Sequence, residues 1–386
     1  MESEYVGLLK LYIEKMLGRR ILSSTDCRFL FNDITQQLDS TISFNTLRRF
    51  FKLMETKHEQ SVYTLNILAA YCGFSSFDDF ITIVKRKPME NKGQQNTDLL
   101  LYLVMLFKET EVSDENDFTF FRFVRQTITF LEYHPDLIDQ FQREIAKTNN
   151  GQLYYFEQFV NFDRLNAFYG DGLRYYLHEK KTMDAQIFGN YLLCLRYWLA
   201  MDNENLEKHY HAVMQYELNK KTLPATAARY YAAELMQPGA DPDPILIKAR
   251  QFYATISLTI DNFVSVSRFD CTLSHILLLT GQYEEALFYI DEFLKNKKKY
   301  VLPPTESSLT ESIHLFKAIA LVRLGEKAAA KEWLNSLNTN KFFFLSKQYL
   351  TILYLSIKQS LKKSRSEQKQ LQYLTRTTGF VKLLQL

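Results

Sequence analysis

The chain has 386 residues, 46% of them hydrophobic and 15% aromatic, and a formal net charge of +3 at pH 7. That is more length than one ordinary domain and enough apolar material for a sizeable core, so two or three domains or one extended solenoid are expected. Only 12 Gly and 8 Pro leave little for the tight turns of a β-sandwich or for a glycine-rich nucleotide fold. The longest clean apolar run, Leu99 to Phe107, is too short to span a bilayer, so no membrane partner is expected.

The charge is unevenly spread. Residues 1–87 carry +2, the middle of the chain −9, and residues 287–386 +10, with clusters at Lys295, Lys297, Lys298 and Lys299 and at Lys362, Lys363 and Arg365. Such clusters either solvate helix ends or meet an acidic partner. Cys27, Cys72, Cys194 and Cys271 lie far apart with no CxxC pair, and the start Met-Glu-Ser-Glu has no signal-peptide character. A reduced, cytoplasmic location is the expectation. The 24 Tyr and 30 Phe are expected to fill the core of helix stacks.

Residues 1–87 present the periodicity of five short helices. The first covers Glu4 to Leu17 and the second runs from a cap at Ser24 or Thr25 to about Leu38. Ser43, Ser61 and Ser75 or Ser76 cap the remaining three. Gly73 is placed to end the fourth in a left-handed conformation. The third and fourth helices, Ser43-Phe-Asn-Thr-Leu-Arg-Arg-Phe-Phe-Lys52 and Ser61-Val-Tyr-Thr-Leu-Asn-Ile-Leu-Ala-Ala-Tyr-Cys-Gly73, resemble the second half of bacterial Cro/repressor-type helix-turn-helix domains. Thr41 stands where that family has its turn glycine, and Gln37 where it has a small alanine. The resemblance implies DNA contact through Asn45, Thr46, Arg48, Arg49 and Lys52: arginine to guanine or phosphate, asparagine to adenine, threonine and lysine to phosphate. A domain balance of +2 supplies few uncompensated cations for phosphate binding.

Residues 88–97, polar and without apolar period, read as a linker, and residues 98–386 as helix upon helix. Helices are expected at 98–109, 115–132, 135–147, 151–160, 162–179, 183–201, 203–217, 223–237 and 243–257, with a turn at Asn149-Asn150-Gly151 and a stiff loop from Gln237 to Pro244. No stretch alternates with period two, so the fold class is all-α. Further on, Leu273-to-Leu294 reads as a helical hairpin about Gly281, its second helix carrying Tyr283, Ala286, Leu287, Ile290, Phe293 and Leu294 in one apolar stripe. Such a hairpin buries its face only against like neighbours.

Leu273, Ser274, Leu277, Gly281, Tyr283, Ala286 and Ile290 resemble the tetratricopeptide pattern, with Asp270 where a tryptophan is usual. Ala318, Leu321, Gly325, Ala330 and Leu334 repeat it, with Lys317 and Lys327 where Leu and Tyr are usual, and the two glycines are 44 residues apart. Small residues at Ser274, Ala286, Ala318 and Ala330 let paired helices approach. Helices at about 340–358 and 361–375, followed by Phe380 to Leu386, are expected to cap the stack.

No phosphate-cradling loop occurs; Gly170-Asp-Gly172 is too short a signal. His209 and His211 point to different helix faces, about 200° apart, and Cys271 with His275 sit inside a repeat helix where packing accounts for both. No metal, no cofactor and no catalytic constellation is expected. The chain therefore reads as a helix-turn-helix-like bundle followed by a tetratricopeptide-like α-solenoid. Its expected role is a non-enzymatic, regulatory scaffold binding a protein or peptide on the concave face, with Tyr175, Tyr176, Tyr230 and Tyr231 as candidate groove residues. The alternative is a DNA-binding regulator, and a homodimer is compatible with either. Bacterial peptide-responsive regulators are similar in plan. That resemblance implies that ligand binding alters superhelix curvature and repositions the N-terminal domains.

Overall fold

The computed structural model describes residues 2–17, 21, 23–38, 42–54, 60–86, 92–112, 117–302, 306 and 308–384. Among them every regular element is helical and there is no strand, in line with the composition. The chain divides into two compact units, Met1–Leu99 and Leu100–Leu386.

The first unit holds α1 (Glu2–Leu17), α2 (Ser24–Gln37), α3 (Phe44–Phe50), α4 (Val62–Tyr71) and α5 (Phe77–Arg86). Serines start most of them because a hydroxyl satisfies an otherwise orphaned amide of the first turn. Ser43 accepts from the Thr46 amide, Ser61 from Thr64 and Ser76 from Asp79. The cap of α2 is Ser23, one residue before the expected position; its hydroxyl accepts from the Asp26 amide. Gly73 ends α4 with φ +84, as its position predicted. The core gathers Leu9, Ile13, Leu30, Ile34, Leu47, Leu68 and Phe80, and the rings of Tyr12, Phe74 and Phe80 meet edge to face at 5.1–5.8 Å. Thr41 and residues 87–91 lie outside the described residues. Helix α6 (Lys92–Glu109) crosses the division between the units and begins inside the stretch expected to be linker. Lys and Gln tolerate helix well, so the helix nucleated by Leu99–Phe107 extends back through polar residues.

In the second unit come α7 (Phe118–Glu132), α8 (Pro135–Ile145), a wide π-type helix (Gly151–Gln158), α9 (Phe168–Glu179), α10 (Met183–Ala200), α11 (Asn203–Met214), α12 (Pro224–Leu235), α13 (Pro242–Ala254), α14 (Phe263–Leu279), α15 (Tyr283–Lys297), α16 (Ser308–Arg323), α17 (Lys327–Ser336), α18 (Lys347–Leu361) and α19 (Arg365–Thr378). From α10 onward they form hairpins: α10 packs on α11, α12 on α13, α14 on α15, α16 on α17 and α18 on α19. The first members also pack on one another in the order α10, α12, α14, α16, α18. This is a solenoid-like row. At the two best repeat matches Gly281 and Gly325 turn the chain with φ +87 and +88, where a side chain would meet strain and no clash. Ser274, Ala286, Ala318 and Ala330 are all fully buried, so the close helix approach that their size permits is realised.

Departures from the expected helices cluster between residues 146 and 167. The turn falls at 146–148 instead of Asn149–Gly151, and the side-chain amide of Asn150 donates to the carbonyls of Phe107 and Thr110. The single helix expected over 162–179 is broken into a short 3-10 turn, Phe162–Arg164, and α9. The cause is a remote demand. Asp163 turns its carboxylate to the start of α18, accepting the Gln348 amide at 3.0 Å and the Tyr349 amide at 2.8 Å, and so caps a helix nearly two hundred residues downstream. Burial nonetheless pushes the Asp163 carboxyl up to about 6, the two amides only partly offsetting it.

The last helices start later than expected, α18 at Lys347 after a short turn at Thr339–Lys341. A final turn, Val381–Leu384, packs against α10 as well as α18 and α19. There the Lys382 ammonium lies 3.8 Å above the Trp198 ring of α10, and Phe380 and Leu383 are buried. The end of the row is thus fastened back to its beginning.

Candidate functional site

Folding the inner helices into a row with joined ends leaves a concavity. A cavity of about 180 Å³ opens there, with walls drawn from α10, α12, α14, α16 and α18 and from the segment after the π-type helix. Its apolar side is Phe162, Phe188, Leu192, Leu309, Phe316 and Leu350. Its polar side is set by Arg229 on α12, Arg268 on α14, Glu157 and Glu306.

Three of those charges are matched. Arg268 is ion-paired with Glu306. Glu157 accepts from the Lys180 ammonium at 2.5 Å and from the Tyr176 hydroxyl at 2.8 Å. The guanidinium of Arg229 lies 4.8 Å from the centre of the Phe188 ring and makes no hydrogen bond or ion pair with any described residue. Burial, and then the neighbouring Arg268, push its pKa down. Arg229 is therefore the charged lining residue left without an ion-pair or hydrogen-bond partner among the described residues, with an aromatic wall beside it.

Two other polar groups line the same space. His275 is hydrogen-bonded through Nε2 to the Tyr349 hydroxyl and stacked on Phe316, and burial lowers its pKa to about 3, so the ring is neutral. The Cys271 thiol is pushed up to about 12, by burial first and then by Glu306 and Asp270, so it stays protonated. Both side chains are packed within the surroundings of α14, His275 against Phe316 and Tyr349. Among the described residues no group of three or more His, Cys, Asp or Glu is placed to hold a metal ion. His209 instead bonds through Nδ1 to Asn190 at 2.9 Å and stacks on Tyr197, while His211 faces Glu207.

None of the four tyrosines proposed for a groove lines the cavity. Tyr176 and Tyr231 are core residues, and Tyr176 touches the site only through the hydroxyl it donates to Glu157. Tyr175 is half-buried outside it, its hydroxyl donating to Asp139, and Tyr230 packs edge to face on Tyr231. The site residues missed by the sequence reading, Arg229 and Arg268, did leave a trace: each is a lone cation in an otherwise small or apolar helix segment, Ala225-Thr-Ala-Ala-Arg-Tyr-Tyr-Ala-Ala233 and Phe263-Val-Ser-Val-Ser-Arg-Phe269. A charge in such a setting has to face a cavity or a partner.

In the first unit Asn45, Arg49 and Lys52 are exposed on and just after α3, while Thr46 and Arg48 are half-buried. Thr46 is engaged with the Ser43 hydroxyl at 2.8 Å, and the Arg48 guanidinium reaches Asn45 at 3.4 Å and lies over Phe44. Lys52 has a left-handed backbone, φ +57. No helix among the described residues is long and apolar enough to cross a membrane. No family model, no curated protein and no solved structure matches this chain.

Proposed function

We propose that the second unit is a non-catalytic binding module that holds a segment of a partner protein or peptide on the inner face of its helical row, with the N-terminal bundle as the effector end of a regulatory protein. The observation that carries this reading is the cavity: separate hairpins each send their first helix to one concavity that combines aromatic walls with an unmatched cation. Concave, mostly apolar sites with a few convergent polar groups are where ligands settle. A protonated thiol and a neutral, hydrogen-bonded imidazole supply neither nucleophile nor poised base near neutral pH, which favours binding over chemistry. Selection of displayed random peptides on the full-length chain tests the reading. Enriched peptides are expected to lose at least tenfold in affinity when Ser312→Phe fills the cavity without lowering the melting temperature. Peptides indifferent to that substitution would refute the inner face as the site.

The exposed Asn45, Arg49 and Lys52 favour a second reading, a DNA-binding regulator. It requires DNA affinity that falls steeply with salt and drops about tenfold in the Arg48→Ala, Arg49→Ala double variant. Unchanged binding by that variant in a titration at two salt concentrations would rule it out.

A further inference from the structure

The charge pattern of the cavity is specific enough to name what enters it. We propose that the site anchors the free α-carboxylate of a peptide's C-terminal residue on Arg229, with that residue's apolar side chain among Phe162, Phe188, Phe316 and Leu350. This rests on the peptide-binding reading above and adds the end of the peptide and its chemistry.

Charge is the first argument. Glu306 is matched by Arg268 and Glu157 by Lys180, so an incoming anion meets one cation whose guanidinium has no ion-pair partner among the described residues. A guanidinium in a partly dry site is stabilised by a planar carboxylate, which accepts two parallel N–H bonds from its fork. The neighbouring Arg268 adds to the positive potential, and Glu157, though ion-paired with Lys180, tempers it. Size is the second argument. A cavity of about 180 Å³ is roomy enough to hold ordered water and to admit a large side chain with its carboxylate. Topology is the third. The turn Val381–Leu384 joins α10 to α18, and Asp163 joins the segment before α9 to α18, so the helices that supply the cavity's walls are tied to one another at both sides of the row. A chain passing through would need two exits; a chain end needs one mouth.

The experiment uses the full-length protein and three probes: N-acetyl-phenylalanine, its carboxamide, and a pentapeptide ending in phenylalanine with a free carboxylate. Thermal shift and calorimetry are expected to show that both acids bind, the pentapeptide at least tenfold tighter, and that the carboxamide does not. Arg229→Gln is expected to abolish the ligand-dependent shift while raising the melting temperature of the unliganded protein, because it removes a buried, unmatched charge. These opposite signs separate an anchoring role from a structural one. Arg229→Lys is expected to restore part of the binding. Equal binding of acid and carboxamide, or full binding by Arg229→Gln, would overturn the carboxylate anchor and leave the peptide reading standing. Binding of N-acetyl-phenylalanine but not of the pentapeptide would overturn the peptide as its source and assign the site to a small free acid.

Discussion

Gly170→Ala is expected to destabilise the second unit by about 3 kcal/mol or more, toward the upper end of what overpacking a close-packed site costs. Helix propensity alone argues the other way, since exchanging glycine for alanine inside a helix ordinarily gains about 1 kcal/mol. The geometry decides the sign. A Cβ on Gly170 would sit 2.0 Å from the carbonyl oxygen of Leu165 and 2.7 Å from the Arg196 guanidinium. The arginine has a flexible end, but the carbonyl belongs to the backbone that carries Asp163 into its capping position on α18. Relief therefore means moving residues 163–168 and loosening the two hydrogen bonds that the Gln348 and Tyr349 amides donate to Asp163. At Gly172 the obstacle is the Gln142 side chain, 2.5 Å away, which gives more readily, so the same exchange there is expected to cost less. Urea titration of the three proteins checks the order. A Gly170→Ala protein as stable as the parent would show that this junction is not constrained as described.

Asp270→Asn is expected to change how stability depends on pH. Asp270 is fully buried on α14, and one carboxylate oxygen has no partner. Burial, reinforced by Glu292, holds its pKa well above the usual carboxylate range, and the bond with Tyr253 only partly offsets this. The native state therefore keeps a proton that the unfolded chain releases near pH 4. In that situation native stability is highest at low pH and falls as pH rises toward the elevated native pKa, by about 1.4 kcal/mol per pH unit. Asparagine is neutral in both states and lacks this slope. The difference between variant and parent is expected to grow in favour of the variant by about 1.4 kcal/mol for each unit above pH 4, and to level off once the elevated native pKa is passed. Contributions common to both proteins cancel in that difference. These include His209 and His275, whose lowered pKa values of about 4 and about 3 make acid destabilising, and Asp163, whose raised value acts in the opposite sense. A pH-independent difference in unfolding free energy would contradict a protonated Asp270.

Local signals in the sequence were legible wherever the physics is local. The serine caps at 43 and 61, the left-handed Gly73, the turn at Gly281 and the apolar periods that fix fold class depend on a few neighbouring residues. Even there, Tyr289 lies outside the stripe read from α15 yet is fully buried, because Tyr253 and Phe269 pack on it from two other helices. The break at residues 162–167 was invisible, since its reason is a bond to residues 348 and 349. The same holds for the site. Arg229 and Arg268 are 39 residues apart in sequence, and only the stacking of α12 on α14 brings them to one cavity. Of the candidate groove doublets Tyr175-Tyr176 and Tyr230-Tyr231, the second tyrosine in each is spent on the core. Asp270, in the place of a usual tryptophan, was noted as a mismatch, but its burial as a lone carboxyl required the neighbours to be known.

The fastening of Val381–Leu384 onto α10 has a mechanical consequence. An open solenoid behaves as a spring, free to change pitch and to unravel from its ends. Opening the row at that joint means lifting Lys382 off Trp198 and exposing Phe380 and Leu383. A change in its curvature therefore works against a packed joint between α10 and the last turn.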